Sequence, residues 1–149
     1  MISIFGVVSV ITAVTSITII VLHNRLMLKR TPVDTYAAAL EDLIRERIEG
    51  LYHTSPPESE LHDLCSLYVD LGLNDMIMAL PEIDRACESS LLDDESASAI
   101  QETTEALNQA IQDYNNLITN NLPMKLLAQV LTLTTELPIN METLPAGSA

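Results

Sequence analysis

The feature that most limits how this chain can fold is a run of 21 uncharged residues, 2–22. Thirteen of them are Ile, Val, Leu or Phe. A helix of this length rises about 31 Å, at about 1.5 Å per residue, which matches the hydrocarbon thickness of a bilayer. Its apolar side chains favour insertion, and its Ser and Thr hydroxyls can bond back to the preceding turn. We therefore predict a transmembrane helix over residues 1–23.

The residues that flank this run distinguish an anchor from a cleaved signal peptide. The opening MISI has no basic residue, the apolar run is longer than a usual signal core, and no A-x-A site follows it. These features favour an uncleaved, single-pass membrane protein. Arg25, Lys29 and Arg30 follow the run, so the positive-inside rule predicts that the rest of the chain lies on the cytoplasmic side.

The remainder of the chain is strongly acidic. The whole sequence has 21 Asp and Glu against 7 Lys and Arg, and the span from Glu49 to Asp113 carries a single basic residue, Arg85. This distribution excludes nucleic acid as a partner, because phosphates require basic groups facing them. An acidic surface instead favours a basic protein partner. We expect contact with the lipid bilayer through residues 2–22, and a protein partner or a homo-oligomer beyond it.

Apolar residues recur at helical spacing after the membrane run. A helix near 32–52 begins with Thr31 as its N-cap and Pro32 in its first turn, or it continues the membrane helix through a kink at Pro32. The sequence leaves these alternatives open. A second helix follows TSPP, with Ser55 as its cap, and Pro81 is expected to kink or divide a third helix.

The longest soluble helix is predicted over residues 94–120. Its second half, within LNQAIQDYNNLITNNLP, carries one charge, Asp113, among Asn and Gln residues. This pattern indicates a helix contacted on more than one side, whose amides bond neighbouring helices. After Pro123, MKLLAQVLTLTT predicts a helix of about twelve residues, either a lid on the bundle or an interfacial segment. Residues 137–149 are predicted to form an extended or disordered tail.

The fold class that these elements predict is all-α. With 4 Gly, no Trp and one Phe, the chain has few residues typical of strands outside the membrane run. Short turns containing Pro, Gly and Asp favour antiparallel neighbours. We predict an antiparallel three- to four-helix bundle over residues 24–136, after the transmembrane helix.

Two stretches of the chain resemble the LemA family. The first, HNRLMLKRTPVDTYAAALEDLIRERIEGL, is similar to the family's N-x-L, R and V-D pattern through Asn24, Leu26, Arg30, Val33, Asp34, Leu40, Arg45 and Arg47. The second, LNQAIQDYNNLITNNLPMKLLA, is similar to N-x-A-V-x-x-Y-N-x-x-I followed by Pro through Asn108, Ala110, Ile111, Tyr114, Asn115, Ile118, Pro123 and Ala128.

This resemblance identifies the chain as a divergent, short relative, without the Trp of the family's first helix or the Gly-Phe of its closing segment. It implies a membrane-anchored helical protein with no established enzymatic activity. Members of the family are linked to membrane organisation such as magnetosome formation. The resemblance also implies structural roles for the motif residues Asn24, Val33, Asp34, Asn108, Ala110, Tyr114, Asn115, Ile118 and Pro123.

The sequence contains little that is typical of an active site. There is no Gly-rich phosphate loop and no G-x-S-x-G motif, and Cys65 and Cys87 lack CxxC spacing. We predict no catalytic residue, no cofactor and no metal. The two cysteines suit either free thiols in a reducing compartment or one bridge, and we favour buried free thiols. The carboxylates of Asp93, Asp94 and Glu95 are explained by the favourable position of acids at a helix start.

An alternative function is a membrane-tethered, metal-dependent enzyme. Its candidate ligands are His53, Glu58, Glu60, His62 and Asp63. The intervening TSPP and the lack of an H-x-x-x-H pair on one helix make the cluster more typical of solvated residues at a helix start. The function that we expect is a non-enzymatic scaffold or adaptor at the membrane.

Overall fold

A computed structural model of the protein describes residues 4–87 and 94–139. This part of the chain contains five α-helices and no β-strand, which confirms the all-α prediction. The helices are α1 (Ile4–Thr54), α2 (Glu60–Tyr68), α3 (Leu73–Ala86), α4 (Asp94–Asn120) and α5 (Leu122–Val130). The predicted tail beyond residue 139, Asp93 and the side chain of Asp94 lie outside the described residues.

Contacts divide the chain into two compact units. The first unit comprises Met1–Val33 and Gln109–Leu137, and the second comprises Asp34–Asn108 and Pro138–Ala149. Helices α1 and α4 each contribute residues to both units. The buried apolar residues of the first unit are Leu26, Val33, Ile111, Tyr114, Ile118, Met124 and Ala128.

The second unit has a larger core of its own. Apolar residues at three- and four-residue spacing on α1 are buried or half-buried, as an amphipathic helix predicts. Tyr36 shares this spacing and is expected to face inward, but it is exposed. Each buried Leu or Ile side chain contributes about 1.5–3 kcal/mol to folding. The core residues of this unit are Leu40, Ile44, Ile48, Leu51, Leu61, Cys65, Met76, Ala79, Leu80, Ile83, Ile100, Leu107 and the polar Ser55 and Thr104.

Helix α1 continues through Pro32, so the alternative of a separate helix capped by Thr31 is wrong. Proline has no N–H, and it therefore leaves one carbonyl in the preceding turn without its helical donor. Thr31 lies inside the helix, where its hydroxyl donates to the carbonyl of Met27 at 2.9 Å. The helix tolerates the proline within this packed segment.

The starts and ends of the shorter helices differ from the sequence prediction. Ser59 caps α2, and its hydroxyl accepts a hydrogen bond from the backbone N–H of His62 at 3.2 Å. The predicted cap, Ser55, is buried and donates to the carbonyl of Tyr52 instead. The following α3 is one helix with Pro81 inside it, and it is not divided.

Helix α5 begins and ends earlier than predicted. Asn121 caps its start by accepting from the backbone N–H of Met124, and Val130 is its last residue. The chain then turns through Thr132, which has a φ of 55°. Backbone bonds from Thr132 to Gln129 and from Leu133 to Ala128 complete a Schellman motif with threonine at the position usually held by glycine. The turn ends the helix before the Thr-rich segment.

Candidate functional site

The segment predicted to span the membrane is an exposed apolar helix. Every residue from 4 to 21 is exposed, and this part of α1 is long and apolar enough to cross a membrane. The hydroxyls of Thr12, Thr15, Ser16 and Thr18 each donate to the carbonyl four residues earlier, at 2.8–2.9 Å. Because these donors are satisfied within the helix, its surface offers lipid few unpaired polar groups.

The packed part of the first unit begins where the uncharged run ends. Leu22 is half-buried and Leu26, one turn later, is fully buried. Arg25 is exposed beside them. Lys29 donates to the carboxylate of Asp113 at 2.7 Å, and this bond holds the pKa of Asp113 below its usual value. The first buried residue and the first basic residues of α1 therefore lie within two helical turns of the end of the predicted membrane span.

Arg30 connects three parts of the first unit. Its Nη1 donates to the hydroxyl of Tyr114 at 3.3 Å, and its guanidinium carbon lies 5.7 Å from the centre of the same ring. Its Nη2 is 3.4 Å from a carboxylate oxygen of Glu136. Tyr114 is fully buried, so the guanidinium provides the partner that a buried phenol requires.

The asparagines of α4 bind backbone rather than neighbouring helices. Asn115 donates from Nδ2 to the carbonyl of Glu136 at 2.8 Å and accepts from its N–H at 3.0 Å. Asn108 does the same with Ile139, at 2.7 Å for both bonds. The prediction of amide bonds between helices is wrong for these two residues, because an extended segment occupies that side of α4.

The structure gives the family-motif residues different surroundings. Val33, Tyr114 and Ile118 are buried, whereas Asn108, Ala110 and Asn115 are half-buried. Asn24, Asp34 and Pro123 are exposed. The roles that the resemblance implies for these residues remain predictions, but the buried members belong to the packed core.

The candidate metal ligands do not form a metal site in the described residues. No group of three or more His, Cys, Asp or Glu side chains that could hold an ion occurs within residues 4–87 and 94–139. The His62 ring stacks on Tyr52 with ring centres 4.2 Å apart, and its Nδ1 lies 3.2 Å from the carbonyl of Tyr52. His53 and the acidic members are exposed. His62 therefore packs between helices rather than converging with the other four.

The two cysteines are not joined by a disulfide. Cys65 is fully buried, as predicted, whereas Cys87 is only half-buried. Burial, with a smaller effect from Cys87, raises the pKa of the Cys65 thiol to about 11. A thiol with so high a pKa is a poor nucleophile at neutral pH.

A buried ion pair lies in the second unit. Arg47 donates from Nη2 to the Asp84 carboxylate at 2.8 Å and from Nη1 to the Ser96 hydroxyl at 3.0 Å. The side chains of Arg47 and Asp84 are 6% and 5% exposed. Arg47 also lines a cleft of about 550 Å³ with Leu43, Glu46, Gly50, Leu51, Thr54, Glu95, Ser96 and Ala99. The Arg47 side chain therefore links α1 to α3 through Asp84 and to α4 through Ser96.

Charge is distributed unequally between the two units. The first unit holds four of the seven basic residues and only two of the 21 acidic residues, so its formal charge is +2. The second unit has a formal charge of −16. The basic unit is also the one that contains the apolar run.

Comparisons with family models, with characterised proteins and with solved structures found no match.

The sequence does not reveal the contact of Glu136 with Arg30 or the pairing of Arg47 with Asp84. Glu136 is the one charged residue between positions 126 and 141, and nothing in the sequence indicates that Arg30 is its partner. Arg47 projects from an apolar face of α1, and a charge in such a position requires an opposite charge nearby. Nothing in the sequence indicated which acid supplies it.

Proposed function

We propose that this chain is a LemA-like, single-pass membrane protein whose helical bundle acts as a non-enzymatic scaffold or adaptor on the cytoplasmic side. The observation that carries the proposal is the exposed apolar surface of residues 4–21, which continues as one helix into a packed, basic segment. Exposing so large an apolar surface to water is unfavourable in free energy, and the hydrocarbon of a bilayer is the environment in which these side chains leave water.

The charge of each unit supports this orientation and role. Anionic lipid on the cytoplasmic face attracts Arg25 and Lys29, which follow the run. The second unit, at −16, is suited to a basic protein partner and is repelled by the same lipid. Antiparallel packing of α1 and α4 in a three- or four-helix bundle belongs to this proposal. The resemblance to the LemA family supports it too.

The test combines topology with partner recovery. A reporter fused after residue 149 should be active only in its cytoplasmic form, and a reporter active on the external side would overturn the orientation. The tagged chain, extracted in mild detergent, should elute as a defined oligomer or with a stoichiometric partner. A monomer with no specific partner would overturn the scaffold role.

A matched variant separates charge-driven binding from unspecific capture. Asp42, Glu46 and Glu49 are exposed acids on α1. Neutralising all three with Asn and Gln should weaken partner recovery and its dependence on salt, while leaving the fold intact. Unchanged recovery at every salt concentration would contradict an acidic docking surface.

A further inference from the structure

Helix α5 has two apolar faces, of which only one is buried. Met124 and Ala128 face the core of the first unit and are almost fully buried. On the other side, Leu122, Leu126 and Val130 follow one another at four-residue spacing and are 70%, 56% and 79% exposed. Four-residue spacing places these three side chains in one stripe along the helix.

From this stripe we infer that α5 lies in the headgroup region of the membrane, where Leu122, Leu126 and Val130 insert beside the anchor. The inference rests on the proposed membrane anchoring. According to this inference, the stripe contacts the lipid headgroup region, and this contact is separate from the one that residues 2–22 make with the bilayer.

The position of the packed unit along α1 supports this inference. Leu26 is fully buried and lies four residues, about 6 Å of helix, beyond Leu22. Leu26 belongs to the first unit, whose other segment is Gln109–Leu137 and includes α5. The unit to which α5 belongs is therefore packed immediately next to the end of the membrane run.

The charge around the stripe complements an anionic lipid surface. Lys125 is exposed on α5 to one side of the stripe, and Arg25 is exposed on α1. A lysine at such a position can lay its alkyl chain along an apolar surface and hold its ammonium among phosphates. The first unit is the positively charged unit of this acidic chain, which favours lipid over a basic protein as the occupant.

The absence of tryptophan from the sequence provides a direct test. Leu126→Trp and Val130→Trp each introduce a unique indole on the stripe. The full chain is reconstituted in vesicles of phosphatidylcholine and phosphatidylglycerol, with lipids brominated on the upper part of the acyl chain, with lipids brominated near its end, or without bromine. Ile11→Trp serves as the indole within the membrane span, and Met78→Trp, 80% exposed on α3, is matched in exposure to Val130→Trp.

Both stripe variants should emit at shorter wavelength than Met78→Trp and be quenched several-fold more by the brominated lipid. If they match Met78→Trp while Ile11→Trp is quenched, the inference fails and the anchor stands. If Ile11→Trp itself is not quenched, the proposed anchoring fails. A blue shift without quenching, together with chemical cross-linking between copies, would assign the stripe to a second copy and overturn the lipid contact.

Discussion

The side chain of Asn115 binds both backbone groups of Glu136, with Nδ2 donating to its carbonyl at 2.8 Å and Oδ1 accepting from its N–H at 3.0 Å. An amide side chain reproduces in this way the two bonds that a neighbouring strand would make. Asn108 makes the same pair of bonds with Ile139. The two asparagines are seven residues apart, two helical turns, and so project from the same side of α4. This arrangement explains why α4 carries amides where a solvent-facing helix would carry charges.

Replacing Asn115 should release the segment that follows α5. Asn115→Ala removes a donor and an acceptor and leaves two backbone groups of Glu136 without partners, at a cost of about 1–3 kcal/mol of unfolding free energy. The measurements are urea denaturation and hydrogen exchange at the Glu136 amide. The neighbouring Asn116 is exposed, and Asn116→Ala should change neither. Equal protection of the Glu136 amide in the wild type and in Asn115→Ala would contradict this role.

Removing one partner of the buried Arg47–Asp84 pair should destabilise the protein far more than removing one partner of an exposed pair. Asp84→Asn leaves the Arg47 guanidinium buried without its counter-charge, and we expect a loss of about 3–5 kcal/mol of stability. Arg45 and Glu41 form a pair at the same 2.8 Å distance, but their side chains are 32% and 38% exposed. Breaking that pair with Glu41→Gln should cost about 0.5 kcal/mol or less.

Thermal unfolding of both variants provides the comparison. A double variant, Arg47→Met with Asp84→Leu, should recover most of the stability that Asp84→Asn loses, because neither buried position then carries a charge. Similar melting temperatures for Asp84→Asn and Glu41→Gln would show that the ion pair is solvated in solution.

Thr132 is a position where a substitution should stabilise the protein. A β-branched residue with a φ of 55° is strained, and the Schellman motif at the end of α5 favours glycine there. Thr132→Gly should raise the unfolding free energy by about 1 kcal/mol, measured by urea denaturation. Thr134→Gly, in the extended segment two residues later, should instead be neutral or destabilising because it only adds freedom to the unfolded chain. A loss of stability in Thr132→Gly would mean that the turn is not formed.

The two thiols should react at very different rates. With the pKa of Cys65 raised to about 11, only about one thousandth of that thiol is ionised at pH 8, and its burial blocks access as well. Iodoacetamide should modify Cys87 first. In a Cys87→Ser variant, the remaining thiol of Cys65 should be alkylated slowly. Because the pKa of Cys65 in the folded chain lies above the ordinary value of 9.0, the folded chain keeps this thiol neutral at pH values where the unfolded chain ionises it.

The sign of this linkage gives a second observable. The unfolded chain ionises Cys65 from about pH 9 upward while the folded chain does not, so stability should fall as pH rises from 9 to 11. A Cys65→Ala variant should lose this part of the pH dependence. Rapid alkylation of Cys65 in the folded protein at pH 8 would contradict both expectations.

The sequence predicted the elements whose signal is repeated along the chain. Residues 4–22 of the apolar run and the span 94–120 both carry periodic or compositional signals, and the described fold confirms a helix over each, with α1 longer than predicted. Each of these predictions rests on several apolar residues, so a single atypical residue does not alter the predicted helix. The continuation of α1 through Pro32 depended instead on packing, which local propensity does not determine.

Features that depend on a single partner could not be predicted. Ser55 and Ser59 both precede α2, and which of them caps the helix depends on where the buried side chains position the chain. Asn115 bonds a segment 21 residues away, and Arg47 pairs with an acid 37 residues away. Neither separation follows a local spacing rule. The exposed stripe of α5 was visible as apolar residues, but which face is buried required the structure.

The central claim, that residues 2–22 hold the protein in the membrane, is tested most directly by alkaline carbonate extraction followed by flotation. The full chain should remain with the vesicles. A variant with Val10→Lys and Val14→Lys should be released, because each lysine near the middle of the span opposes insertion by about 2.5–3.5 kcal/mol. Recovery of the unaltered chain in the carbonate supernatant, or an intact mass lacking residues 2–22, would contradict the account.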